Sequence, residues 1–293
     1  KPLPLGQDQI LGPVEVEEGI ERTGRERDHG QPMARGPGLD PAHAVRHQRL
    51  AQGRRQRHRP QAAHRMAAAV APFRPAFITP MAAVAGAVAE EILGAMVQAA
   101  DLDRAYVNNG GDIALHISPG QSLTLAVGGT GHGFADRITI DAEAGVRGVA
   151  TSGWRGRSFS LGIADAVTVL ARTAAEADAA ATIIANAVDL PGHPAVERQP
   201  ACKLSPDSDL GDRWVTTAVG GLTASEIDTA LRSGCQVGDE LIRRGLIVGS
   251  ALFLAGASRV VGNSLSSVID RAKPHGAFPL HPRTLNSNGS LHA

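Results

Sequence analysis

Aromatic side chains are scarce in this 293-residue chain, at 3% of the total, so any core must be assembled from Ala, Val, Leu and Ile. Cysteine is nearly absent. Cys202 and Cys235 stand far apart, which fits neither a zinc site nor a disulfide framework and suits a reducing compartment. Net charge is zero, so no excess of positive charge argues for nucleic acid or an anionic membrane as partner. Long hydrophobic runs are missing too. Met81–Leu93 and Leu246–Ala257 are too short to span a bilayer or are broken by Glu90 and Glu91, and Lys1–Asp28 holds no apolar signal-like stretch. These absences lead us to expect a soluble, cytoplasmic protein.

What is present falls into three zones. Residues 1–65 include "GRRQRHRPQAAHR" (53–65), basic and without apolar period, which is expected to be a disordered basic extension. A nucleic-acid arm would need interleaved aromatics, and none occur there. Residues 263–293 are polar and rich in Pro and Asn, and are expected to be a disordered tail.

The middle zone, 66–262, carries ordered signals. Thr79-Pro80 reads as an N-cap and first helical position for "MAAVAGAVAEEILGAMVQ". "YVNNGGDIALHI" (106–117) reads as a hairpin, and "LTLAV" (123–127), "RITIDA" (137–142), "VTVLA" (167–171) and "ALFLAG" (251–256) as strands. Thr173 with Glu176 and Thr223 with Glu226 are capping boxes that start two helices. Helices mixed with hairpins imply an α+β domain.

Three stretches are candidates for chemistry. In "NNGGD", Asn108, Asn109, Gly110, Gly111 and Asp112 could form a plain type I′ turn or a nest for an anion. In "VATSGWRGRSFSLG" (149–162), Thr151 and Ser152 offer hydroxyls, Gly153 permits close approach, and Arg155 and Arg157 suit phosphate, although a simple loop would look similar. Asp178 and Thr182 are four residues apart, on one face of an Ala-rich helix. A carboxylate and a hydroxyl there suit Mg²⁺; an exposed polar stripe is the alternative. A fourth stretch, "SPDSDLGDR" (205–213), gathers Asp207, Asp209 and Asp212 in an Asx-rich turn or a weak cation loop. His116 and His193 read as ordinary strand and loop histidines.

Taken in order, the Ala/Gly helix, "NNGGD", "ATSG" with arginine, and "VTVLARTAAEADAAAT" resemble the ApbE family of FAD:protein FMN transferases, over roughly 75–262. The likeness is nearest to the family's uncharacterised soluble branch. It implies a T-fold-like antiparallel sheet backed by helices, with FAD and Mg²⁺ as cofactors. A serine or threonine of an acceptor protein would receive FMN. It places flavin contacts on Asn108 to Asp112 and on Thr151, Ser152 and Gly153, with the metal on Asp178 and Thr182. Two family elements differ. The lysine of an Ala-Lys-Gly triplet falls on Ala85, and "RSFSLGIADA" replaces a His-x-x-Asp-Pro segment, leaving Asp165 as the candidate base. These departures also leave room for a non-transferase that binds another heterocycle, such as a pterin or purine, or a partner protein.

Overall fold

The computed structural model describes residues 16–21, 61–126, 136–262 and 270–271. The remainder of both expected terminal extensions lies outside the described residues. Within the expected 1–65 extension, Val16–Glu21 forms strand β1, and a helix, α1, over 61–70 carries Ala69 and Val70 into the core.

Strands and helices are mixed along the rest of the described chain. They are α2 (Val84–Ala99), β2 (Arg104–Asn109), β3 (Asp112–Ile117), β4 (Ser122–Ala126), β5 (Asp136–Asp141), β6 (Gly148–Ser152) and β7 (Ala166–Ala171). There follow α3 (Ala174–Ala187), β8 (Val196–Pro200), α4 (Ala201–Leu204), β9 (Trp214–Val219), α5 (Ala224–Arg243), β10 (Gly249–Leu254), β11 (Ala257–Val261) and β12 (Asp270–Arg271). The main sheet has seven strands in the order β1-β2-β3-β6-β7-β10-β11, every neighbouring pair antiparallel. This is the expected α+β architecture. Strands β12, β5 and β4 form a second sheet, and β8 and β9 a two-stranded ribbon.

Central strand β7 is buried along its whole length. Its "AVTVLA" sequence is apolar without strict alternation because both faces are covered. Val167, Val169 and Ala171 join the core beneath the helices, whereas Leu170 joins Ile138, Ile140, Leu115 and Ile117 on the opposite face.

The helix layer is built on small side chains. In α3, Ala174, Ala175, Ala177, Ala179, Ala180, Ala181 and Ala185 are all buried. This supplies the close packing that the scarcity of aromatics demands. At the crossing of α2 and α3 a Cβ on Gly86 would lie 2.3 Å from the Ala174 carbonyl oxygen, so only glycine fits.

Each of these two helices also caps the other. The Asp178 carboxylate accepts from the Gly86 N–H at 3.1 Å, and the Glu90 carboxylate accepts from the Ala175 N–H at 2.8 Å. Helix α2 needs this, because its own N-cap residue, Ala83, offers no side-chain acceptor. Pro80–Ala83 is a 3₁₀ turn, so α2 starts four residues later than Thr79-Pro80 suggests, and the Thr79 hydroxyl caps nothing. Of the two expected capping boxes, Thr223–Glu226 is complete, while at α3 Thr173 accepts from the Glu176 N–H and the Glu176 side chain turns to Arg172.

Pro80–Ala99 is long and apolar enough to cross a membrane. This corrects the expectation that the run is too short, and α2 within it packs against β2, β3 and α3.

Candidate functional site

A cleft of about 650 Å³ opens where the start of α2, the β2–β3 hairpin, the end of β6 and the middle of α3 converge. That size is ordinary for a cofactor or nucleotide site. Its floor includes Asp112, Asp178 and Thr182, and its sides include Asn109, Gly110, Thr151, Ser152, Gly153 and Arg157. Phe77, Met81 and Phe159 form an apolar rim, each more than a third exposed.

The hairpin tip divides its labour residue by residue. Gly110 (φ 71°) and Gly111 (φ 109°) both hold the positive φ that a two-residue type I′ turn requires. Asn108 accepts from the Gly111 N–H at 2.9 Å, which closes the turn. Asn109 donates through Nδ2 to the Ala85 carbonyl at 3.1 Å and docks the tip onto α2. A Cβ on Gly110 would sit 1.6 Å from a guanidinium nitrogen of Arg157, so the first glycine makes room for an arginine of this chain. Asn108 and Gly111 therefore build the turn and do not line the cleft, whereas Asn109, Gly110 and Asp112 do.

Asp112 opens β3 and carries an unusual burden. Its Oδ1 is buried with no hydrogen-bond partner. Burial pushes its carboxyl well above the ordinary range, and the neighbouring Asp178 charge pushes it further; a backbone hydrogen bond from Thr151 and the Arg157 charge act the other way. Asp178 is raised to about 7 by burial, against backbone hydrogen bonds from Gly86 and Ala85 that lower it. The alternative of an exposed polar stripe at Asp178 and Thr182 does not fit the structure: both lie in the cleft, and Asp178 is largely shielded from solvent.

The 149–162 stretch is only partly a loop, since β6 runs through Thr151 and Ser152. The Thr151 hydroxyl pairs with that of Thr168 at 2.9 Å. Gly153 lines the cleft, yet its lack of a Cβ is demanded by the Asp165 carbonyl oxygen, which a Cβ would approach to 2.4 Å.

Asp165 and Arg155 need correcting, because the structure places both outside the cleft. Asp165 accepts from Arg155 Nε at 2.5 Å, from Trp154 Nε1 at 3.2 Å and from the Ala255 N–H at 2.6 Å. The last bond pins the β10–β11 turn, where Ala255 has a φ of 48°. Arg155 is spent on that carboxylate and on the Trp154 ring, 4.7 Å away. A carboxylate so engaged anchors local structure.

The 205–213 stretch, which holds none of the motifs that carry the family resemblance, contributes Ser205, Ser208, Asp209 and Leu210 to the cleft wall. No group of three His, Cys, Asp or Glu able to hold a metal occurs among the described residues. Asp209 instead accepts a hydrogen bond from the Thr79 hydroxyl, and Asp212 accepts from the Cys202 thiol. Nothing in the local sequence announced this wall; the unexplained density of Asp and Ser was its only trace. His193 and His116 are likewise structural, bonded to Glu226 and to the Leu102 carbonyl.

A family model described as AbpE bacteria matches residues 41–260. The chain belongs to this family. A UPF0280 protein of Methanopyrus kandleri is 42% identical over 128 residues, which is 43% of this chain and 49% of that protein. One from Methanothrix thermoacetophila is 44% identical over 112 residues, 38% of this chain and 46% of the relative. The chain thus spans about half the length of the curated relatives it matches. The crystal structure of the ApbE protein of Thermotoga maritima is similar at 17% identity with a TM-score of 0.38, over 64% of this chain and 52% of that one. Membership of the AbpE family agrees with the ApbE-related resemblance read from "NNGGD" and "EADAAAT".

The residues present fit a hard divalent cation. Asp178, Thr182 and the orphaned Oδ1 of Asp112 are all oxygen donors, and the Asp178 charge adds to the need of Asp112 for a positive partner.

Proposed function

We propose that this AbpE-family protein binds a flavin nucleotide, FAD foremost, in a Mg²⁺-dependent manner, and acts as a flavin transferase of the phosphoryl-transfer class. The observation that carries the reading is the buried, unpartnered Asp112 Oδ1 beside Asp178 in a cleft of nucleotide size. Such an atom costs stability unless a ligand satisfies it. Asp178, Thr182 and Asp112 would hold the cation, which when bound would neutralise the diphosphate of the nucleotide. Arg157, poised over Gly110, would pair with a phosphate oxygen. The Ser152 hydroxyl and the Asn109 edge would orient the nucleotide, and Phe77, Met81 and Phe159 offer an apolar surface to a planar ring.

A second reading has its own support. With Asp165 engaged elsewhere and Ala85 in the place of a lysine, the one cleft carboxylate beyond the two assigned to the cation is Asp209, which is bonded to the Thr79 hydroxyl. A binding protein for a pterin, a purine or another nucleotide would need no base.

Titration of the full chain with FAD, with and without Mg²⁺, separates the two readings. Tight binding that EDTA abolishes supports the first, and FMN release or transfer to a serine or threonine peptide would extend it. Failure to bind FAD in Mg²⁺ overturns it, and metal-independent stabilisation by pterins or purines would favour the second.

A further inference from the structure

Thr79 stands in an N-cap position with extended backbone and a proline after it, yet its hydroxyl makes no cap bond. It is diverted to Asp209, 130 residues away, on the opposite wall of the cleft. Two residues before Thr79, the Phe77 ring lies 3.3 Å beneath the Arg213 guanidinium. Segments 77–79 and 209–213 are therefore fastened to each other twice. Phe77, Thr79 and Asp209 all line the cleft, so the fastening joins two of its walls.

The strap is tethered locally at both ends. Ser205 N–H bonds to the Ala201 carbonyl, and the Ala201 N–H bonds to the Arg213 carbonyl at 2.8 Å, which closes 201–213 into a loop on its own base. The Cys202 N–H also bonds to the Gly211 carbonyl at 2.8 Å, so the span between the anchors is Ser205–Leu210. There Asp209 meets a hydroxyl, while Arg213, at the anchored base, meets a ring, both on the far wall. Such bonds are individually weak and open without unfolding anything else.

We propose that Ser205–Leu210 is a strap that gates the cleft, held shut by the Thr79–Asp209 hydrogen bond, with the Arg213–Phe77 stack fixing its base against 77–79. This rests on the cleft being the ligand site, and it predicts that a ligand enters and leaves only when the strap swings away from 77–79. The latch then sets the rates of entry and exit, while the floor residues set affinity.

The test uses the full chain with Cys202→Ser and Cys235→Ala, into which Thr182→Cys places one thiol on the cleft floor. A thiol reagent then reports opening with no ligand present. Removing one hydrogen bond from the latch, by Thr79→Val or by Asp209→Ala, should speed labelling about fivefold. The double variant should be no faster than either single, because one bond is lost in each case. A thiol placed by Ser225→Cys, on the exposed start of α5, should label at an unchanged rate in all of them. Unchanged labelling at 182, or an equal acceleration at 225, would overturn the gate. Flavin binding is measured separately: if FAD fails to bind wild type, the proposed function falls, and the labelling rates still decide the strap.

Discussion

Replacing Asp178 by Asn alters one charge and almost no shape, and the structure sets what should follow. Burial lifts the Asp178 carboxyl from its ordinary 3.8 to about 7 in the folded protein. A folded-state pKa above the unfolded one means that the native state binds the extra proton between those values. Its stabilising contribution is complete below about pH 4 and is lost as the pH rises through 7. At 1.36 kcal/mol per unit the whole effect is about 4 kcal/mol, of which about 3 kcal/mol falls between pH 5 and pH 8. Asn carries no charge at any of these values and keeps a carbonyl oxygen for the Gly86 N–H. In EDTA the variant should therefore lose most of this pH dependence, and near pH 8 it should be at least as stable as wild type by urea denaturation. Asp112 should also be eased, since the charge of Asp178 is the second cause of its own displacement. In Mg²⁺ the outcome inverts. FAD binding by calorimetry should fall more than about a hundredfold, because a hard cation needs the carboxylate. If the variant is less stable than wild type at pH 8 in EDTA and binds FAD with Mg²⁺ equally well, Asp178 is a helix cap and nothing more.

Other substitutions separate the parts of the site. Thr182→Val should reduce Mg²⁺-dependent FAD affinity about tenfold with little change in urea midpoint, having removed one neutral oxygen. Arg157→Ala should weaken FAD binding by about tenfold or more, as expected for a lost charge-assisted bond, and calorimetry should find no compensating change in fold stability. Asp165→Ala should leave FAD affinity untouched while costing about 1–3 kcal/mol in urea, through the stranded Ala255 N–H and Arg155. Gly86→Ala should be the most damaging to the fold, at about 2–3 kcal/mol, because its Cβ would meet the Ala174 backbone 2.3 Å away and the helices would have to part.

Local signals were readable where a residue's task is local. Thr223 and Glu226 satisfy one another within a single turn, and the Asn-Gly-Gly hairpin closes on its own Asn108. Both can be read without knowing anything distant. The positions that misled are those whose partners lie far along the chain. Thr79 has the sequence of an N-cap, but Asp209 takes its hydroxyl. Asp165 stands alone as a carboxylate in its stretch, yet Ala255 and Arg155 claim it. The period of the Asp178–Thr182 pair was correct, but the face it occupies is decided by α2 and the hairpin packing over it. Burial of a polar pair is a tertiary property, and an i, i+4 spacing is silent about it.

The charge balance of the cleft ties these threads together. Among its lining residues Arg157 is the single basic side chain, against the three carboxylates of Asp112, Asp178 and Asp209. Ala85 supplies only backbone there, an N–H toward Asp178 and a carbonyl toward Asn109. A lysine at this position would be a resident cation beside the Asp178 carboxylate. With alanine, Asp178 is left to titrate at about 7, or with Asp112 to recruit a mobile cation. The departure from the ApbE pattern therefore sharpens the expected metal dependence. Loss of the fixed charge makes a diffusible one the most direct way for the folded protein to keep both Asp112 and Asp178 ionised at neutral pH.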